Sequence, residues 1–245
     1  MKIIESTQNK TIKERSKLLT KKGRNVSGLF LIEGEHLIQE AFKKKILKEV
    51  YLREDLKADD TFPITYCVQN VLNKLSQQQS NTMMIGVCKK PIWQEHNRNQ
   101  ILILDNVQDP GNLGTLIRTA YSFGMDAIYL SNDCADIYNP KTIQSSQGAL
   151  FHIPIFYCEL VEKINEFKKE NLTIYATSLH EPYNNLQETS PASKYAIILG
   201  NEGQGIRPEI IELCDQSVKI EMAHFESLNV AIAGAIMMYT FKQKD

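Results

Sequence analysis

The sequence of 245 residues has only five cysteines (Cys67, Cys88, Cys134, Cys158 and Cys214), an odd and widely scattered set without a CxxC pair. This excludes a disulfide framework and a thiolate zinc site, and the thiols read as reduced and mostly buried. Long hydrophobic runs are also missing. The longest, VAIAGAIMMYTF from Val230 to Phe241, falls well short of the roughly 20 residues that a bilayer-spanning helix needs. The opening MKIIESTQNKTIKERSK lacks the apolar core of about 7 to 15 residues found in a secretory signal, so a cytoplasmic protein is expected. There is no GxxxxGK[ST], which excludes a P-loop, and no GxGxxG after the first strand of a βαβ unit, which excludes the ordinary dinucleotide fingerprint. The histidines His36, His96, His152, His180 and His224 show no ligand spacing, and no metal is expected.

Net charge is nearly absent as well, at -1, but the two halves differ. Residues 1–98 hold 18 Lys+Arg against 11 Asp+Glu, a balance of +7, whereas residues 99–245 hold 10 against 18, a balance of -8. The basic excess is densest before residue 25, where Lys2, Lys10, Lys13, Arg15, Lys17, Lys21, Lys22 and Arg24 face only Glu5 and Glu14. Such a run is either a solvated helix face or a contact to nucleic-acid phosphate.

What is present is the composition of a folded protein, 42% hydrophobic and 23% charged, long enough for two domains of about 100 residues or more. The first, residues 1–95, reads as a small α/β unit with strands at 28–33, 46–53 and 64–68. After the polar stretch 94–100, the second domain, residues 99–245, alternates strand and helix. Strands are expected at 101–104, 127–130, 151–156, 172–177, 196–199 and 217–221. Helices are expected at 112–123 (ended by Gly124), from Asn139-Pro140, at 160–169, at 208–214 and from about Ser227 to Phe241. This order predicts an α/β fold with a mostly parallel sheet covered by helices on both faces. Ligands of such sheets bind beyond the carboxyl ends of the strands.

Three loops after predicted strands are rich in Gly, Asn, Asp and Ser: DNVQDPGNLG at 105–114, GNEGQGI at 200–206 and MAHFESLN at 222–229. Singly, each has an ordinary reading as a turn or a helix cap. Three together, at three expected strand ends of one sheet, weigh against that ordinary reading.

The strings LDNVQDPGNLGTLIRTAYSFG, ILGNEGQGI and IEMAHFESLNVAIAGAIMMY resemble, in order, the three motifs of the SpoU (TrmH-type) RNA 2'-O-ribose methyltransferases of the SPOUT superfamily. FLIEGEHLIQEAF resembles, more weakly, the accessory RNA-binding domain of that family, which has a ribosomal-protein-like α/β fold. The resemblance implies a sheet whose carboxyl-terminal segment is threaded into a trefoil knot, S-adenosylmethionine bound at the knot, and a homodimer in which the partner completes the site. Carried over position by position, it implies Asn112, Arg118, Glu202, Ser227 and Asn229 around the reacting hydroxyl. It implies Gly200, Ile220 and Leu228, and secondarily Leu199 and Met222, around the cofactor; small or apolar side chains beside exposed main chain suit an adenine slot.

A guanidinium is effectively always protonated, so Arg118 is expected to clamp a phosphate and stabilise the forming alkoxide instead of acting as base. Glu202 is expected to fix Asn112 or nearby amides. The family commonly carries an Arg where this chain has Gln144, which puts one phosphate contact in doubt; Ser146 and Gly148 fit. The accessory domain points to ribosomal RNA. A transfer-RNA substrate, a base-methylating relative and a catalytically silent RNA-binding dimer are the alternatives.

Overall fold

The computed structural model describes residues 3–57, 63–77, 82–96, 98–177, 182–224 and 227–242. Lys2, His180, Phe225 and Glu226, named above, lie outside them. The chain packs as two compact units, one of residues 1–92 with 136–151, the other of residues 93–135 with 152–245.

The first unit holds β1 (Ile3–Ile4), α1 (Lys10–Ser16), α2 (Lys21–Ser27), β2 (Leu29–Glu33), α3 (Glu35–Lys43), β3 (Leu47–Arg53), β4 (Ile64–Cys67), α4 (Gln69–Leu75) and β5 (Met84–Lys89). Its sheet runs β1-β4-β3-β5-β2. β5 was not expected from the sequence, and it pairs antiparallel with both β2 and β3. Ile12, Leu18, Leu31, Tyr51, Val71 and Leu72 form much of the core.

The second unit begins with β6 (Gln100–Leu104), α5 (Pro110–Ser122) and β7 (Ala127–Ser131). The chain then enters the first unit for α6 (Pro140–Ser146). It returns for β8 (Ile155–Cys158), α7 (Leu160–Lys169), β9 (Thr173–Thr177), β10 (Asn184–Asn185), β11 (Tyr195–Leu199), α8 (Pro208–Ile211), β12 (Gln216–Lys219) and α9 (Val230–Phe241). The sheet runs β10-β12-β9-β11-β6-β7-β8 with every pair parallel.

Alternation along the strands divides the side chains between two faces. Ile101, Ile103, Ile174 and Ile198 pack with α7 and α8 through Ile164, Phe167 and Ile210. On the other face, Tyr175 and Tyr195 meet Phe241 of α9 edge-on, with ring centroids 4.9 and 5.4 Å away. Gly234 lets α9 approach both β11 and α5, because a Cβ there would lie 2.5 Å from Leu116 and 2.6 Å from Leu199. Both faces are therefore covered, and the central strands β6, β7, β9 and β11 are buried on both sides.

Several expectations need correction. Residues 136–151, read as part of the second domain, pack with the first: Arg24 donates to Asp136 at 2.7 Å, and Phe30 stacks near Tyr138 and Phe151. The strand expected from residue 151 starts at Ile155, since 149–151 form a 3-10 turn. α8 stops at Ile211, short of Cys214. The last helix starts at Val230, and its cap is Asn229, whose side chain accepts from the backbone N–H of Ala231 at 2.9 Å. Among the described residues no helix is long and apolar enough to cross a membrane.

Candidate functional site

β6 and β11 are neighbours in register, with Leu104 opposite Leu199. The loops that leave their carboxyl ends therefore run side by side. The first, 105–109, ends where Asp109 caps α5, accepting from Asn112 N at 2.8 Å, with Pro110 in the first turn. This is the chemistry expected of a helix start. The second, 200–206, folds back on itself: Asn201 and Gly205 exchange backbone hydrogen bonds at 2.9 and 3.0 Å, and Asn201 Oδ1 accepts from Gly203 N at 2.9 Å and Gln204 N at 3.0 Å. Gly205 has φ +74°, and a Cβ on Gly200 would lie 2.2 Å from the Gly205 carbonyl carbon. Only glycine permits so tight a return.

The two loops meet through named groups. Asn201 Nδ2 donates to the Asn106 carbonyl at 2.9 Å. Glu202 Oε1 accepts from Asn112 Nδ2 at 3.0 Å and from Asp109 N at 3.3 Å. Asn229, on the third loop, donates through Nδ2 to Asn112 Oδ1 at 3.0 Å. Glu202 of the second loop, Asn112 in the first turn of α5 and Asn229 at the end of the third loop thus form one chain of hydrogen bonds, closed by the helix cap of Asn229.

Beside this chain lies a cavity of about 280 Å³, beyond the carboxyl ends of β9, β11 and β12. Leu199, Gly200, Ile220, Met222 and Leu228, the five residues expected around the cofactor, all line it, as do Glu202 and Ser227. Its walls are apolar side chains on one side and the main chain of loop 200–206 on the other, which suits a purine with an attached amino-acid tail. The Ser227 side chain is exposed and bonds to no described residue. Arg118 lies on α5, the helix that carries Asn112; it is exposed, and among the described residues its guanidinium has no hydrogen-bond or salt-bridge partner. The structure thus brings together four of the five expected reaction residues and leaves the fifth on the exposed surface of α5.

Two residues at the base of the site were not singled out from the sequence, Asp105 and Arg207. Asp105 is fully buried and accepts from the Arg207 backbone N–H at 2.9 Å and from its Nε at 2.8 Å. That hydrogen bonding holds the guanidinium even further above its ordinary range. No local pattern would have found a pair so far apart in the chain. Thr177, at the end of β9, is a further lining residue that was not named.

A parallel sheet with three neighbouring loops at its carboxyl ends, two of them lining a cavity of about 280 Å³ flanked by directional amides, is the architecture of an α/β protein with a ligand site at its strand ends. Residues 99–239 match the SpoU rRNA Methylase family, and residues 9–86 match the MRM3-like substrate binding domain. The chain belongs to the SpoU rRNA methylase family. It is 38% identical to the 23S rRNA (guanosine(2553)-2'-O)-methyltransferase RlmP of Bacillus subtilis (strain 168), with 98% of each chain covered. A solved RNA 2'-O ribose methyltransferase aligns with a TM-score of 0.85 at 28% identity, covering 98% of this chain and 97% of that one. The AdoMet-bound rRNA methyltransferase of Sinorhizobium meliloti shares the fold, with a TM-score of 0.86 at 24% identity over 98% and 96% of the two chains.

Proposed function

We propose that this chain transfers a methyl group from S-adenosylmethionine to a ribose 2'-hydroxyl of large-subunit ribosomal RNA. The observation that carries the reading is the meeting of the Glu202–Asn112–Asn229 chain with the cavity lined by all five expected cofactor residues. When bound there, S-adenosylmethionine supplies an electrophilic methyl on a positively charged sulfur.

The residues of the chain do the positioning. Leu199, Ile220, Met222 and Leu228 provide the apolar slot, and Gly200 brings the main chain of its loop close. Glu202 fixes the amide of Asn112, and Asn112 fixes that of Asn229, so neither amide is free to flip. Ser227, at the cavity wall and without a hydrogen-bond partner among the described residues, offers a hydroxyl to the target ribose. Arg118 supplies a permanent positive charge for the phosphate beside the target nucleotide and for charge developing on the attacking oxygen. Holding nucleophile and methyl group in line is where most of the acceleration arises.

The first unit binds the RNA, using the basic helices α1 and α2. The trefoil knot that the family resemblance implies for the carboxyl-terminal part is included in this reading. A homodimer is supported by the surface of α9 and α5, which leaves Ile232 52%, Tyr239 68% and Tyr121 47% exposed. A ribosomal-RNA substrate supports a cytoplasmic protein.

The test incubates the protein and its Arg118→Ala variant with methyl-labelled S-adenosylmethionine and ribosomal RNA lacking the modification, followed by digestion to nucleosides. Label in 2'-O-methylguanosine of the large-subunit RNA, with the wild type alone, is the expected result. Label on a base, or only in transfer RNA, overturns the assignment.

A further inference from the structure

We propose that Asp105 is a positioning residue for the cofactor, acting by gripping both ends of loop 200–206; this rests on reading the cavity as the S-adenosylmethionine site. Every residue of that loop, from Gly200 to Ile206, lines the cavity. The loop is stiffened internally by the Asn201–Gly205 hydrogen bonds, but these fix only its own shape. Its place relative to the sheet is set by what holds it from outside.

Asp105 holds it at both ends. The Asp105 backbone N–H donates to the carbonyl of Leu199, the residue before the loop, at 2.8 Å. The Asp105 carboxylate takes the residue after the loop: Oδ2 accepts from Arg207 N at 2.9 Å, and Oδ1 from Nε at 2.8 Å and Nη2 at 2.6 Å. The other acids near this guanidinium are more distant, Glu209 at 3.8 Å and Asp133 at 4.0 Å. A buried carboxylate is expensive unless paired, and a pair kept only for stability is replaceable by apolar side chains of like volume. Here one oxygen is spent on a main-chain N–H at the loop's end, a contact that fixes position and that no apolar side chain reproduces. The bonds from Asn201 Nδ2 to the Asn106 carbonyl and from Asp109 N to Glu202 Oε1 extend the same attachment toward the reacting groups, so the loop that lines the cavity and the helix start that carries Asn112 hold one arrangement.

The test uses the full chain as wild type, Asp105→Asn and Arg207→Lys. S-adenosylmethionine is titrated into each by calorimetry, melting temperature is recorded, and KM is measured separately for cofactor and RNA. Asp105→Asn keeps the size but trades one acceptor for a donor, and it should weaken cofactor binding by about tenfold or more and raise the cofactor KM in parallel, with the RNA KM within about twofold. Arg207→Lys keeps the charge but loses the planar fork, and a smaller shift in the same direction is expected. A merely structural pair would lower melting temperature or active fraction and leave the cofactor KM of the folded protein unchanged; that result overturns the inference. If Asp105→Asn does not fold, Arg207→Lys decides, since its side chain is partly exposed. If the wild type itself binds no S-adenosylmethionine, the reading of the cavity fails and the inference with it. If the wild type binds and both folded variants match it, the inference alone fails.

Discussion

Asn112 has to donate and accept at once. Its Nδ2 gives a hydrogen bond to Glu202 and its Oδ1 receives one from Asn229, both at 3.0 Å. Aspartate has the same shape but only accepts when ionised, and it would set a second carboxylate against Glu202. Asn112→Asp should therefore lower kcat by about 10- to 100-fold, in line with the roughly 1.5–3 kcal/mol of a hydrogen bond to a charged group. Cofactor affinity should stay near wild type, because Asn112 does not line the cavity; single-turnover rates and calorimetry would separate the two. Gly200→Ala should do the opposite. Its new Cβ meets backbone atoms at 2.2 and 2.3 Å, which have no rotamer to yield, so the loop itself must move. The expected outcome is cofactor affinity reduced by about tenfold or more, from roughly 1–3 kcal/mol of overpacking, read by the same titration.

At the scale of elements, α9 is the helix that ties the site to the core. Gly234 sits between Leu116 of α5 and Leu199 of β11, and Phe241 is wedged among Tyr175 and Tyr195. Gly234→Ala gains about 1 kcal/mol of helix propensity but forces a methyl group against two side-chain ends. A net loss of about 1–2 kcal/mol is expected, lowering the melting temperature by several degrees in a thermal scan. The last turn of α9 was legible from its apolar run, whereas its start was not. Ser227 and Asn229 are equally good caps in sequence, and only the bond from Ala231 N to Asn229 Oδ1 separates them. The parallel sheet was legible because strands buried on both faces read as unbroken apolar runs such as ILIL at 101–104. β5 was missed because nothing near Met84–Lys89 announces a hairpin; its partners β2 and β3 are distant in sequence. Local turn chemistry marked all three loops, of which the second and third line the cavity and the first joins it through the Asn112–Glu202 bond. The Asp105–Arg207 grip could not be read, since a charged residue after an apolar run looks like the start of any loop.

At the scale of the molecule, the first unit is not a simple amino-terminal attachment. It includes residues 136–151, where Ile137, Tyr138, Ile143 and Phe151 are buried and Asp136 receives Arg24, itself 4% exposed. A chain cut to residues 93–245 retains every motif of the family yet leaves those four side chains without cover, and it should be aggregation-prone on purification. Separating RNA binding from catalysis therefore calls for charge changes, not deletion. Lys10, Lys13, Lys17, Lys21 and Lys22 are all exposed on or beside α1 and α2, and among the described residues none forms an ion pair. Each lysine that contacts a phosphate releases counterions on binding, so each one lost should reduce the slope of log affinity against log salt by about 0.7–0.9. Replacing all five by Gln should flatten that slope by roughly 1.4 to 4.5, for the two to five that make contact. It should weaken binding most at low salt and leave cofactor affinity unchanged, because the cavity lies in the other unit. An unchanged slope in filter-binding titrations across salt would remove this surface from the RNA interface and move attention to the second basic run, Lys43, Lys44, Lys45 and Lys48.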